Sequence, residues 1–138
     1  MTLTESHAFG VEEPGVLDTT IGDLLRAAAA RAGDRVALIE GVDDPSSRRE
    51  WTYAELLADA ERTAQALLAR FSPGDHVAVW AHNIPEWVLV ELGCALAGMT
   101  VVTVNPAYQA NELQYVVSQS NSKGLFVVDD HRGNPMLS

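Results

Sequence analysis

Between Tyr53 and Leu68 apolar residues recur at helical spacing, with Tyr53, Leu56, Leu57, Ala60, Ala64, Leu67 and Leu68 forming one stripe. Glu55, Asp59, Arg62 and Gln65 fall on the water side, so the pattern predicts an outer-layer helix running to about Arg70. Thr52 followed by Glu55 is a capping box, in which each side chain satisfies a backbone N–H that the helix start leaves without a partner. Before it, Thr20 and Asp23 open a helix over Ile21–Ala32 that Gly33 ends. Val36–Ile39 reads as a short strand. Turn residues crowd Gly41–Arg49, and Glu50–Thr52 pairs back across them as a hairpin.

The rhythm then changes. Ser72-Pro73-Gly74-Asp75 is a turn, and His76–Ala81 is a strand. Asn83 is placed to cap the next helix, with Pro85 in its first turn and Glu86 at the positive end of its dipole. That helix, ending at Gly98, is apolar nearly all round, with Glu91 as its main polar interruption. Such a helix needs cover on more than one side, and the expectation is that a layer is missing or comes from a partner. Thr100–Val104 and Leu125–Val128 read as strands buried on both faces, separated by an amphipathic helix over Asn111–Ser120 with Leu113, Val116 and Val117 inward.

Helix and strand therefore alternate from Tyr53 onward, and the strands are continuous apolar runs. This predicts an α/β fold: a partial, mostly parallel sheet with flanking helices. Residues 1–17 read as an N-terminal arm and residues 18–138 as one α/β unit. The length of 138 residues suffices for a core. A net charge of −10 makes nucleic acid and anionic membranes poor partners. No apolar run is long enough to span a bilayer. Cys94 is the single cysteine, and the N-terminus lacks the basic start and apolar block of a signal peptide, so the expected location is cytoplasmic.

Candidate chemistry is sparse. Neither a Gly-x-x-x-x-Gly-Lys-Ser/Thr loop nor a Gly-x-Gly-x-x-Gly turn occurs, and no zinc or serine-nucleophile motif is present. Lys123 is the only lysine and lies in the turn Asn121-Ser122-Lys123-Gly124. Cys94 reads as a small core residue, and Trp51, Trp80 and Trp87 as core or rim packing. Ligands of open parallel sheets gather beyond the carboxyl ends of strands. That places His82 and Asn83, after one strand, and Asn105 and Pro106, after the next, on the side to inspect. Their plainer roles are helix cap and strand terminator.

Two segments carry a family likeness. Trp51-Thr52-Tyr53-Ala54-Glu55-Leu56 resembles an early motif of the acyl-adenylate-forming, AMP-binding ligases. Asn83-Ile84-Pro85-Glu86-Trp87, Leu96-Ala97-Gly98-Met99-Thr100 and Asn105-Pro106-Ala107-Tyr108 continue it, followed by Glu112-Leu113-Gln114-Tyr115-Val116. This second run is similar to medium- and long-chain fatty-acyl-CoA synthetases. The resemblance implies the N-terminal part of the adenylating-enzyme fold, residues 18–138 being a truncated N-terminal subdomain. It implies a parent enzyme that uses fatty acid, ATP, Mg2+ and CoA, with the triphosphate grip and the catalytic lysine lying downstream. For the segment itself it implies no cofactor, no catalytic residue, no metal site and no activity alone. The alternatives are a non-catalytic interaction module completed by a partner chain, self-associating through exposed apolar surface, or a small nucleotide-binding α/β domain.

Overall fold

The computed structural model describes residue 10, residues 16–131 and residues 133–136. The predicted N-terminal arm lies outside the described residues except for Gly10, Val16 and Leu17, which are exposed.

Helix α1 (Ile21–Ala32) opens on Thr20, whose hydroxyl accepts the Asp23 N–H at 3.0 Å. Strands β1 (Val36–Ile39) and β2 (Glu50–Thr52) form the expected antiparallel hairpin. Helix α2 (Tyr53–Leu68) starts on the complete capping box: Thr52 Oγ1 accepts the Glu55 N–H, and Glu55 Oε2 accepts the Thr52 N–H at 2.8 Å. Its buried stripe is Leu56, Ala60, Ala64 and Leu67. Leu68, expected inside, is 47% exposed because, one residue on from buried Leu67, it is turned about 100° off the buried stripe.

Three parallel strands follow: β3 (His76–Trp80), β4 (Thr100–Val104) and β5 (Gly124–Val127), in the spatial order β4-β3-β5. Helix α3 (Pro85–Ala97) links β3 to β4, and α4 (Ala110–Gln119) links β4 to β5. A short antiparallel pair, β6 (Asp130–His131) and β7 (Asn134–Pro135), closes the described chain.

The alternation of β3 divides the core. Val77 packs with Ala64, Leu67, Cys94, Ala97 and Met99 beneath α2 and α3. Ala78 and Trp80 pack with Val104 and Met136 on the other face, against Leu113, Val116 and Val117 of α4. A third cluster, Leu25, Leu56 and Ala60, joins α1 and α2 to Leu89, Leu92 and Leu96 of α3.

Three expectations need correction. Helix α3 is not left bare: α1 and α2 cover one side and the sheet the other, with Glu91 exposed between. Strands β4 and β5 are not buried on both faces. Among the described residues each pairs only with β3, and in β5 Leu125 and Phe126 are each 39% exposed. An apolar run reports what a strand prefers, not whether it lies at the centre of a sheet or at its edge. Finally, the N-cap of α3 is Ile84, with no side-chain cap bond, not Asn83. Pro85 at the first helical position removes one of the orphan N–H groups, so the cap has less to satisfy.

Candidate functional site

The chain leaves β3 into α3 on the face that carries Val77, and leaves the adjacent β4 into α4 on the face that carries Ala78 and Trp80. Neighbouring parallel strands whose next helices go to opposite faces make a topological switch point, where the strand ends part and leave a crevice. The structure therefore sets His82 and Asn83 on one rim of this edge and Asn105 and Pro106 on the other. His82 and Pro106 are half-buried, while Asn83 and Asn105 are exposed.

The β4 rim is firmly shaped. Asn105 Oδ1 accepts the Ala107 N–H at 2.9 Å, and the Asn105 carbonyl accepts the Tyr108 N–H at 3.0 Å. The same carbonyl accepts the indole N–H of Trp80 at 3.0 Å, tying the loop to the last residue of β3. Gln109 then donates its backbone N–H to Glu112 Oε2 at 2.9 Å, which stabilises the first turn of α4.

Asn83 opens on a hollow that neither Asn105 nor Pro106 lines. With Leu38, Ile39, Glu40, Pro85 and Trp87 it lines a cavity of about 310 Å³ between the hairpin and the start of α3. Arg49 braces this hollow. Its guanidinium donates to Glu40 at 2.6 Å and to Glu86 at 2.5 Å, and lies over the Trp51 ring at 5.4 Å. The Arg49 hydrogen bonds hold the carboxyl groups of Glu40 and Glu86 below the usual glutamate range. Glu40 and then Glu86 raise the guanidinium in turn. No local pattern announces this bridge, since Glu86 stands 37 residues from Arg49.

A second hollow, about 210 Å³, opens near the carboxyl end of the sheet on the α3 face and is lined by Val79, Ala81, Ile84, Trp87, Val90 and Phe126 among others. Its walls are almost wholly apolar side chains. Cys94 is fully buried, and burial pushes its thiol up to about 11, so it is no nucleophile at neutral pH.

These residues do not fit a triphosphate and its magnesium. Among the described residues no three of His, Cys, Asp or Glu gather so as to hold a metal ion. Lys123 lies at the amino end of β5, its backbone N–H bonded to the His76 carbonyl at 2.8 Å, and so at the wrong end of the sheet for a phosphate at the crevice. Glu86, the acid nearest the crevice helix, is already paired with Arg49. No helix among the described residues is long and apolar enough to cross a membrane.

The described residues thus form an open, parallel α/β unit with a switch point at the ends of β3 and β4. Residues 25–137 match the AMP-binding enzyme family, and the chain belongs to that family. It is 36% identical over 121 residues to the medium-chain acyl-CoA ligase ACSF2, mitochondrial, of Macaca fascicularis, covering 87% of this chain and 19% of that one. Among solved structures, the N-terminal subdomain of Klebsiella oxytoca NpsA in complex with anthranilyl-AMSN superposes with a TM-score of 0.71 at 28% identity, over 86% of this chain and 30% of that one. The Mycobacterium tuberculosis fatty acyl CoA synthetase superposes with a TM-score of 0.68 at 30% identity, over 78% of this chain and 21% of that one. The chain spans about a fifth of the length of the curated relatives it matches.

Proposed function

We propose that residues 18–138 are the N-terminal scaffold of an acid–thiol ligase that activates a medium- or long-chain fatty acid. In that reaction the carboxylate attacks the α-phosphate of ATP, giving an acyl-adenylate and pyrophosphate. The CoA thiol then displaces AMP to form the thioester. In this reading His82, Asn83, Asn105 and Pro106 form the protein side of the ligand-facing edge. They shape it and hold no reacting group. ATP, Mg2+ and CoA belong to the whole enzyme, and its setting is the cytoplasm, which suits a lone buried thiol.

One observation carries the reading: the switch-point edge is built and hydrogen-bonded, yet no side chain on it suits a triphosphate. The test is ATP-dependent pyrophosphate release by the purified chain, with octanoate or palmitate and CoA. No turnover above the buffer blank is expected, and sustained turnover would refute the proposal.

The exposed outer side of β5 favours a second reading, an interaction module completed by another polypeptide. Leu125 and Phe126 lie on a strand with one unpaired edge, a geometry that invites strand addition or self-association. Light scattering on the purified chain separates the two. A stable monomer at all concentrations counts against any required partner.

A further inference from the structure

We infer that Trp80 is a positioning residue for the ligand-facing edge, acting through the Asn105 carbonyl. The inference rests on the reading of the carboxyl edge as the ligand side. Trp80 is the last residue of the central strand and is buried among Ala78, Val104 and Met136, with Tyr108 packed against the same cluster. Its indole N–H is the one polar atom it brings into that cluster, and it ends on the backbone of the neighbouring strand's loop. The Asn105 carbonyl thereby takes two donors, Trp80 Nε1 from across the crevice and Tyr108 N–H from within its own turn. The Asn105 side chain meanwhile holds Ala107 N–H.

Three hydrogen bonds thus converge on one residue, and of these three only the Trp80 bond reaches back to β3, just beyond the ladder that ends at Trp80 and Val104. A turn held only by its own bonds can tilt as a unit about the strand end. The indole fixes its height against β3, so the two rims of the crevice keep one spacing. A buried indole N–H needs an acceptor wherever it sits, and here that acceptor is the loop of the neighbouring strand; phenylalanine would fill most of the same space without the tie.

Hydrogen exchange followed by NMR on the labelled chain tests this. In the native chain the Trp80 indole N–H is expected to exchange at least about 100-fold more slowly than an unstructured indole. In Trp80→Phe the Tyr108 and Ala107 amides are expected to exchange about tenfold faster, the loss of roughly one hydrogen bond, while the Ala78 and Val79 amides keep their rates. Replacing Trp80 by 5-fluorotryptophan, which retains the donor, leaves the loop rates native; 3-benzothienylalanine, which retains the shape and loses the donor, reproduces the Phe result. A fast indole in the native chain, a loop unchanged by loss of the donor, or a uniform acceleration of all amides overturns the inference. Should Trp80→Phe fail to fold, the native indole rate and the benzothienyl analogue decide it. A negative outcome leaves the scaffold reading standing, because that reading is tested by turnover and this one by exchange.

Discussion

Gly93 of α3 lies against Thr63 of α2 so closely that a Cβ built on the glycine would stand 2.6 Å from Thr63 Cγ2 and 2.9 Å from its Cβ. The contact lies on the seam between α2 and α3, next to Ala64 and Cys94 of a buried cluster. Gly93→Ala is therefore expected to destabilise the chain by about 1–3 kcal/mol through overpacking. Helix propensity alone would favour alanine by about 1 kcal/mol. The two arguments have opposite signs, so urea denaturation decides between them. The double variant Gly93→Ala, Thr63→Ala should recover part of the loss.

Leu67 and Leu68 are neighbours in sequence and opposites in environment, 3% and 47% exposed. Leu67→Ala is expected to cost about 2–5 kcal/mol, the usual range for a buried leucine. Leu68→Ala should fall within about 0.5 kcal/mol of the native chain. Equal losses in chemical denaturation would contradict the stated position of α2.

Among the described residues four carboxyl groups sit below their ordinary range in the folded chain. Glu40 and Glu86 do so through Arg49, Glu55 through the Thr52 N–H and then its hydroxyl, and Asp44 through the Ser46 N–H and then its hydroxyl. Because the folded values are depressed, their contribution is fully present above the unfolded values, about 4 for Asp and Glu. It is lost as pH falls through the folded ones. Melting temperature should be flat from pH 7 to about 5 and fall below about 4. Asp44, Glu55 and Glu86 are exposed and Glu40 is half-buried, so solvent screening keeps most of the effect modest. Arg49→Met should flatten the part of this slope that Glu40 and Glu86 supply, and an unchanged slope would remove the brace.

Cys94 should resist thiol reagents. Its sulfur is fully buried, and a thiol pushed up to about 11 is almost entirely protonated at pH 8. Labelling by a disulfide reagent is expected to be at least roughly 100-fold slower in the native chain than in urea. Rapid labelling without denaturant would mean that α3 opens readily from the sheet.

Element boundaries were legible wherever local chemistry forces them. Thr52 with Glu55, Pro85 and Gly98 each mark a helix end by satisfying or removing a backbone group, and α2 and α3 begin or end at those residues. The left-handed turn at Gly98, φ 70°, is one that a side chain would strain. What depends on the assembled sheet was less legible. Val101 and Leu125 occur in apolar runs much like that of Val77, yet among the described residues only β3 has a strand on each side. No local signal tells a centre from an edge. The rims at His82, Asn83, Asn105 and Pro106 could be placed from strand order alone. The indole bond that joins Trp80 to Asn105 and the Arg49 bridge could not, because each links residues 25 or 37 apart.

The central claim is that this edge frames an adenylate-forming site without gripping the nucleotide. Isothermal titration of the purified chain with Mg·ATP tests it most directly. The account predicts no saturable heat up to about 1 mM nucleotide, a free energy of roughly −4 kcal/mol at best. One-to-one binding in the micromolar range would contradict it.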